Sequence, residues 1–325
     1  MIYSVFWMNA ATVLHTMLAK CLHGLATKLK NRQVNKMKKD IKDEITQKIV
    51  EKIELAQSTG ADWTKPFRDL GGKPTNAKTN KAYKGLNALW LGMNGYARVA
   101  TYKQWQELGY QVQKGSTAIA ITVPRIVKDK KTGDDTLIGF GGARVFPSSM
   151  VLSIESEAQY PDPVVNAVDL TTRIAIADDY INRLNFEIRH SNEGRAYYTP
   201  SGDYVHMPVR EAFSDTKTST ASECYYSTLF HECAHMTGHK SRLDRLDSKN
   251  KRGYAFEELV AELSAAFLCN QLGVSSEPRE DHIQYLASWL SALKNDTDYI
   301  FQAASMAQKA VDFMDGLQID LGVAA

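Results

Sequence analysis

Cysteine is scarce in this chain: four in 325 residues, Cys21, Cys224, Cys233 and Cys269, with no Cys-x-x-Cys pair. Thiol chemistry therefore does not organise the fold, and a reducing, cytoplasmic setting is expected. Net charge is also small, +2 overall. A long apolar run is missing too. Ile2, Phe6, Val13, Leu14, Leu18, Leu22, Leu25 and Leu29 have helical spacing, but Asn9, His15, Lys20 and His23 interrupt them. That argues against a membrane span. No charged segment precedes the apolar part, which argues against a signal peptide. Residues 1–36 are read as an extension from an upstream start, with Met37 as the true start, rather than as a membrane-surface helix. No membrane partner is expected.

The length suits two domains, and the charge divides between them. Residues 61–126 hold ten Lys/Arg against three Asp/Glu, whereas residues 166–325 hold fifteen against twenty-three. A basic front and an acidic back point to a polyanion partner for the front alone. Residues 37–57 predict an amphipathic helix on Ile41, Ile45, Ile49, Ile53 and Leu55. Aromatic and cationic residues then interleave through residue 126, the mixture that binds single-stranded nucleic acid by stacking and phosphate contact. Trp90 and Trp105 sit among apolar helical neighbours and are read as core. Trp63, Phe67 and Tyr83 lie beside turns and are expected to meet bases, while Lys65, Arg68, Lys81 and Lys84 meet phosphates and Asn87 adjoins them. Thr101 to Trp105 predicts a short capped helix, and Gln111 to Pro124 a hairpin around Lys114-Gly115. The domains are drawn at 37–126 and 166–325. Between them, 127–165 is read as linker strands with a charged turn at Lys128 to Asp135.

The back domain carries the sharpest signal, His231-Glu232-Cys233-Ala234-His235. Residues four apart share a helix face, so both imidazoles can reach one metal ion. Glu232, one position on, can act as base toward water. Upstream, residues 168–184 predict a helix, Phe186 to His190 a strand, and Ser191 to Gly194 a hairpin turn. Further strands are expected at 196–198 and 204–207, the last offering an edge for an extended substrate. Downstream, Tyr254 to Leu263 predicts a second helix with three acids, Glu257, Glu258 and Glu262. Bulky Phe256, Val260, Leu263 and Phe267 take one face. Glu258 and Glu262 share a small-residue face with Ala261, Ala265 and Cys269, and Glu257 points elsewhere. Tyr254 or His282 is a candidate oxyanion donor.

Several runs resemble one known family. Trp63-Thr64-Lys65-Pro66-Phe67, Tyr83-Lys84-Gly85-Leu86-Asn87 and Thr101-Tyr102-Lys103-Gln104-Trp105 resemble front-domain signatures of ArdC-type antirestriction proteins. The run from His231 to Leu243 and the run from Tyr254 to Glu262 resemble that family's zincin-like domain. Pro147 departs from the pattern, which carries Asn after the aromatic Phe146. The resemblance implies an α+β chain: a small basic α/β N-terminal domain that binds single-stranded DNA, followed by a zincin-like metallopeptidase domain. It also implies carriage by conjugative plasmids and protection of incoming DNA from host restriction. Glu258-x-x-Ala261-Glu262 looks like the Glu-x-x-Ala-Asp of gluzincins. It makes Glu258 the third ligand of a zinc or other divalent ion beside His231 and His235, with Glu262 supporting a ligand histidine or exchanging roles with Glu258. Three readings stay open: a DNA-binding antirestriction protein that also cuts some unknown protein, a DNA-coating protein with a purely structural metal, and a regulatory protease that removes a repressor.

Overall fold

The computed structural model describes residues 41–55, 58, 73–128, 133–161, 169–216, 219–246, 253–274 and 283–318. The extension 1–36, Trp63, Lys65, Phe67, Arg68 and His282 lie outside the described residues. The described residues divide into two compact units, one of those within 41–44 and 120–143, the other of those within 45–119 and 144–318.

The first helix, α1, covers residues 41–55. Its row Ile45, Ile49 and Ile53 is buried, as the i, i+4 spacing requires. Leu55 is 63% exposed, because two residues past Ile53 turn it about 200° away from that row. There follow β1 (Thr75–Asn76), α2 (Gly85–Gly92), β2 (Arg98–Ala100), α3 (Tyr102–Glu107), β3 (Tyr110–Val112), β4 (Ile119–Lys128), β5 (Asp135–Pro147) and β6 (Val151–Ser153). They form a four-stranded sheet in the order β1-β2-β5-β4 and a separate pair, β3-β6.

The start of α3 is held by a capping box between Thr101 and Gln104. The helix delivers Trp105 into a core with Ala77, Ala100 and Val151, flanked by Tyr110, Phe146 and Tyr160. The indole N–H donates to the Phe146 carbonyl at 2.9 Å, so the buried polar group is satisfied. Phe146, Val151 and Tyr160 come from the stretch expected to link the domains. The hairpin expected around Lys114-Gly115 does not form. Instead β3 pairs antiparallel with β6, Gln111 opposite Leu152, and β4 joins the other sheet. Lys114-Gly115 is a turn between strands of two different sheets, which local spacing does not distinguish from a hairpin loop.

The back half runs α4 (Leu170–Leu184), β7 (Ile188–Ser191), β8 (Tyr197–Thr199), β9 (Tyr204–Pro208), α5 (Ala221–Thr237), α6 (Tyr254–Leu272), α7 (Ile283–Asn295) and α8 (Asp298–Gly316). Its sheet has the order β7-β9-β8, with β7 parallel and β8 antiparallel to β9. Two expectations fail here. Ser191 to Gly194 is no hairpin turn, because β9 lies between β7 and β8. Nor does strand 204–207 offer an edge to a substrate, since both its sides are already paired.

Beneath the sheet, α5 packs on α6 and α6 on α8. Helix α6 is buried continuously from Phe256 to Cys269. Ala303, Ala304, Ala307 and Ala310 give α8 a small buried face, so the helices approach closely. Ser264 Oγ donates within α6 to the Val260 carbonyl at 2.7 Å. The front segment meets this bundle at α2. The Gly85 amide donates to Gln308 Oε1 at 2.9 Å, and a Cβ on Gly85 (φ +54°) would stand 3.6 Å from the Ala304 carbonyl oxygen. No helix among the described residues is long and apolar enough to cross a membrane.

Candidate metal centre

Helix α5 begins with a capping box, Thr220 with Glu223, and runs unbroken through His231, Glu232 and His235, all buried. Facing it, α6 brings in Glu257, Glu258 and Glu262, also buried. The three acids divide around the two imidazoles. Glu258 faces both Nε2 atoms, at 3.3 Å from His231 and 3.4 Å from His235. Glu257 Oε1 is 3.2 Å from His235 Nδ1. Glu262 Oε2 is 3.4 Å from His231 Nδ1. The two Nε2 atoms lie 3.1 Å apart.

These separations test whether an ion fits. Two ligands on one tetrahedral ion, each about 2.0–2.1 Å from it, lie about 3.3–3.4 Å apart. The Nε2–Nε2 separation is near that value, and each Nε2 has one Glu258 oxygen at it, Oε2 for His231 and Oε1 for His235. The Glu257 carboxylate, hydrogen-bonded to His235 Nδ1, orients that ring with Nε2 toward Glu258, and Glu262 lies on the Nδ1 side of His231. His231, His235 and Glu258 thus form a group able to hold a metal ion.

Charge agrees with that geometry. Four buried carboxylates, Glu232, Glu257, Glu258 and Glu262, surround the histidines, and the buried guanidinium of Arg245 is the fixed cation among them. Burial disfavours a charged His235, yet Glu257 and Glu258 outweigh it and push its pKa up to about 10. His231 is raised in the same way, with Glu258 and Glu262 overcoming burial. Burial alone would raise Glu258, but the two imidazoles hold its carboxyl well below the usual range. Glu257 is also lowered, burial being overcome by His235 and Arg245. The pocket stabilises positive charge, which protons or a divalent cation can supply.

Glu257 corrects the reading that it points elsewhere. Because α6 is buried all round, the residue one step from Glu258 still meets α5, at His235. Sequence reasoning also missed Arg245, whose Nε and Nη2 donate to Glu257 Oε2 and Oε1, each at 2.8 Å. A signal existed in Arg242 and Arg245 within the run after His239, but nothing local says where a loop arginine will reach. His239 does not join the centre. Its Nδ1 lies 2.7 Å from Ser241 Oγ and 3.8 Å from Asp203 Oδ2. Tyr254 is the first residue of α6 and 67% exposed.

The front candidates are dispersed. Lys81 is exposed, and Asn87 is half-buried on α2. Tyr83 is half-buried, and its hydroxyl accepts from Asn76 Nδ2 at 3.3 Å. The Lys84 ammonium donates to Asp312 Oδ1 of α8 at 2.9 Å.

Comparison with known proteins covers both halves. Residues 39–159 match the N-terminal domain of anti-restriction factor ArdC, and residues 175–306 match a zincin-like metallopeptidase domain. The chain is 36% identical over 297 residues to the uncharacterized protein y4eC of Sinorhizobium fredii (strain NBRC 101917 / NGR234), spanning 86% of this chain and 93% of that one. It is 31% identical over 298 residues to a DNA primase TraC of Escherichia coli, of which it spans 27%. Crystal structures of the antirestriction ArdC protein from the R388 plasmid, metal-free and Mn(II)-bound, superpose on it with a TM-score of 0.66. They share 33% and 32% identity and cover 86% and 85% of this chain and 98% of theirs. Near-complete coverage of a solved relative, with both domain types in the same order, establishes that this chain belongs to the ArdC antirestriction family.

Proposed function

We propose that this protein binds single-stranded DNA through its basic front domain, holds one zinc ion in its zincin-like domain, and protects DNA entering a host cell with a mobile element from restriction. The observation that carries the metal half is the convergence of His231 Nε2, His235 Nε2 and Glu258 at 3.1 to 3.4 Å, with both Nδ1 atoms backed by carboxylates. His231, His235 and Glu258 are the proposed ligands. When bound, such an ion supplies Lewis acidity, lowering the pKa of water and polarising a carbonyl.

Glu232 is the residue that gives this site peptidase character. It is buried beside the ligands on the same helix, where it would take a proton from the attacking water and return it to the leaving amine. A purely structural metal site has no use for a base there. The DNA half rests on the excess of cations over acids in residues 61–126 and on relatives named as antirestriction and DNA primase proteins. Action inside the cytoplasm follows from that target.

The deciding experiment measures protection in a recipient cell, comparing wild type with Glu232→Gln. Loss of protection with metal content retained supports a peptidase acting during DNA entry. Full protection by the variant would leave DNA coating as the function and make proteolysis dispensable.

A further inference from the structure

We infer that Arg245 is a positioning residue for the metal site, tuning its affinity by fixing Glu257 against His235. The inference rests on the proposal that His231, His235 and Glu258 hold a divalent ion.

Arg245 lies in the loop between α5 and α6, yet its side chain is only 5% exposed. The guanidinium makes directed contacts on both sides. Nε donates to Glu257 Oε2 and Nη2 to Glu257 Oε1, both at 2.8 Å. Nη2 also donates to the Ala234 carbonyl at 2.6 Å, and Nη1 to Thr237 Oγ1 at 3.1 Å. One side of the group grips the metal helix next to His235, and the other grips the carboxylate that faces the same histidine. A planar fork held on both sides fixes the Glu257 carboxylate in direction as well as distance. A lysine, with one point charge, cannot do so.

The loop is shaped to seat that fork. The amides of Arg245 and Leu246 both donate to the Gly238 carbonyl, at 2.8 and 3.0 Å. A Cβ on Gly238 would stand 3.0 Å from Arg245 Nη2 and 2.9 Å from Leu246 Cγ, so a side chain there would crowd the guanidinium. Arg242 anchors the same loop through the Met236 carbonyl at 2.6 Å and through Asp203. The consequence falls on His235. With Glu257 fixed at Nδ1, the ring is held with Nε2 toward Glu258 before any ion arrives, and no ordering of that ligand has to accompany binding.

The test is zinc affinity of the full chain, measured by competition with a chromophoric chelator, for wild type, Glu257→Gln, Arg245→Met, Arg245→Lys and the double variant Arg245→Met with Glu257→Gln. Arg245→Met and Glu257→Gln should each weaken zinc binding by about 10–100-fold. Arg245→Lys should fall between them and wild type. The double variant should bind no worse than the weaker single variant, because both remove the same contact. A role confined to tethering the loop predicts lower thermal stability with unchanged zinc affinity, and that result would overturn the inference. Should Arg245→Met fail to fold, Glu257→Gln, which keeps the shape, and Arg245→Lys, which keeps the charge, decide the question. Failure of the wild type to take up zinc would instead remove the metal-site reading on which this rests.

Discussion

The metal centre and the basic front segment handle charge in opposite ways. In the centre, four carboxylates, two imidazoles and one guanidinium are buried, and every distance between partners is short and directed. Along the front, the paired cations sit on turns and helix ends with side chains 40% to 85% exposed. Lys78 pairs with Glu107, Lys103 lies 3.9 Å from the same acid, and Lys84 pairs with Asp312. Buried charge is costly unless compensated, so its arrangement reports a demand the fold must meet, here for a cation. Exposed charge costs little and is screened by solvent, so its arrangement reports far less. The two regions should therefore respond to substitution on different scales.

The largest effect belongs to the centre. His231→Ala and Glu258→Ala should each abolish stoichiometric metal binding, read by elemental analysis of the purified protein. Glu262→Ala should retain the ion with affinity reduced by about 10–100-fold, as expected for a group acting on a ligand's far nitrogen. Loss of metal in Glu262→Ala with retention in Glu258→Ala would reverse the assignment. Zinc at a thousand times its dissociation constant should stabilise the wild type by about 4 kcal/mol over the chelated protein. The increment should vanish in His231→Ala.

Next come the packed elements that support each region. Trp105 is fully buried with its indole N–H satisfied, so Trp105→Ala should cost about 3–5 kcal/mol in urea unfolding. A loss of DNA affinity with no loss of stability would mean that the ring meets DNA instead. Thr220→Ala removes the cap of the metal helix and should cost about 1 kcal/mol. Zinc affinity should be retained, because the histidines lie about three to four turns further along α5.

How much of this could be read in the sequence follows from range. The metal helix was legible because its ligands obey the helix period: His231 and His235 are one turn apart, and Glu258 and Glu262 repeat that spacing on the helix that follows. The capped helix at Thr101 and the buried Ile45-Ile49-Ile53 row are local in the same sense. What failed was set by contacts distant in sequence. Gln111 pairs with Leu152 rather than with its near neighbours, and β9 enters between β7 and β8 after both have been laid down in the chain. Glu257 was placed on the wrong face because α6 is buried all round, so a residue off the acidic face still meets α5. Arg245 was missed because it arrives on a loop, and loops carry no period. Lys84 looked like a free surface cation because Asp312 lies 228 positions away.

That last pair yields the smallest and most discriminating measurement. If DNA runs over the turn that carries Lys81 and Lys84, each lysine on a phosphate contributes about one unit to the salt dependence of binding. Lys81 is exposed and free to do so geometrically, so Lys81→Ala should lower the slope of log affinity against log salt by about one. Lys84 already donates to Asp312 at 2.9 Å, with both side chains about half in solvent. Such a pair is weak enough to exchange partners, and a phosphate must compete with the carboxylate for the same ammonium. Lys84→Ala should thus change the slope by less than Lys81→Ala. Asp312→Asn, which leaves the lysine unpaired, should raise DNA affinity severalfold at low salt. The double variant Asp312→Asn with Lys84→Ala should lose that gain. Equal slopes for wild type and all three single variants, in fluorescence anisotropy with a labelled single strand, would move the DNA path off this turn altogether. It would then leave the lysine pair as a fastening between α2 and α8.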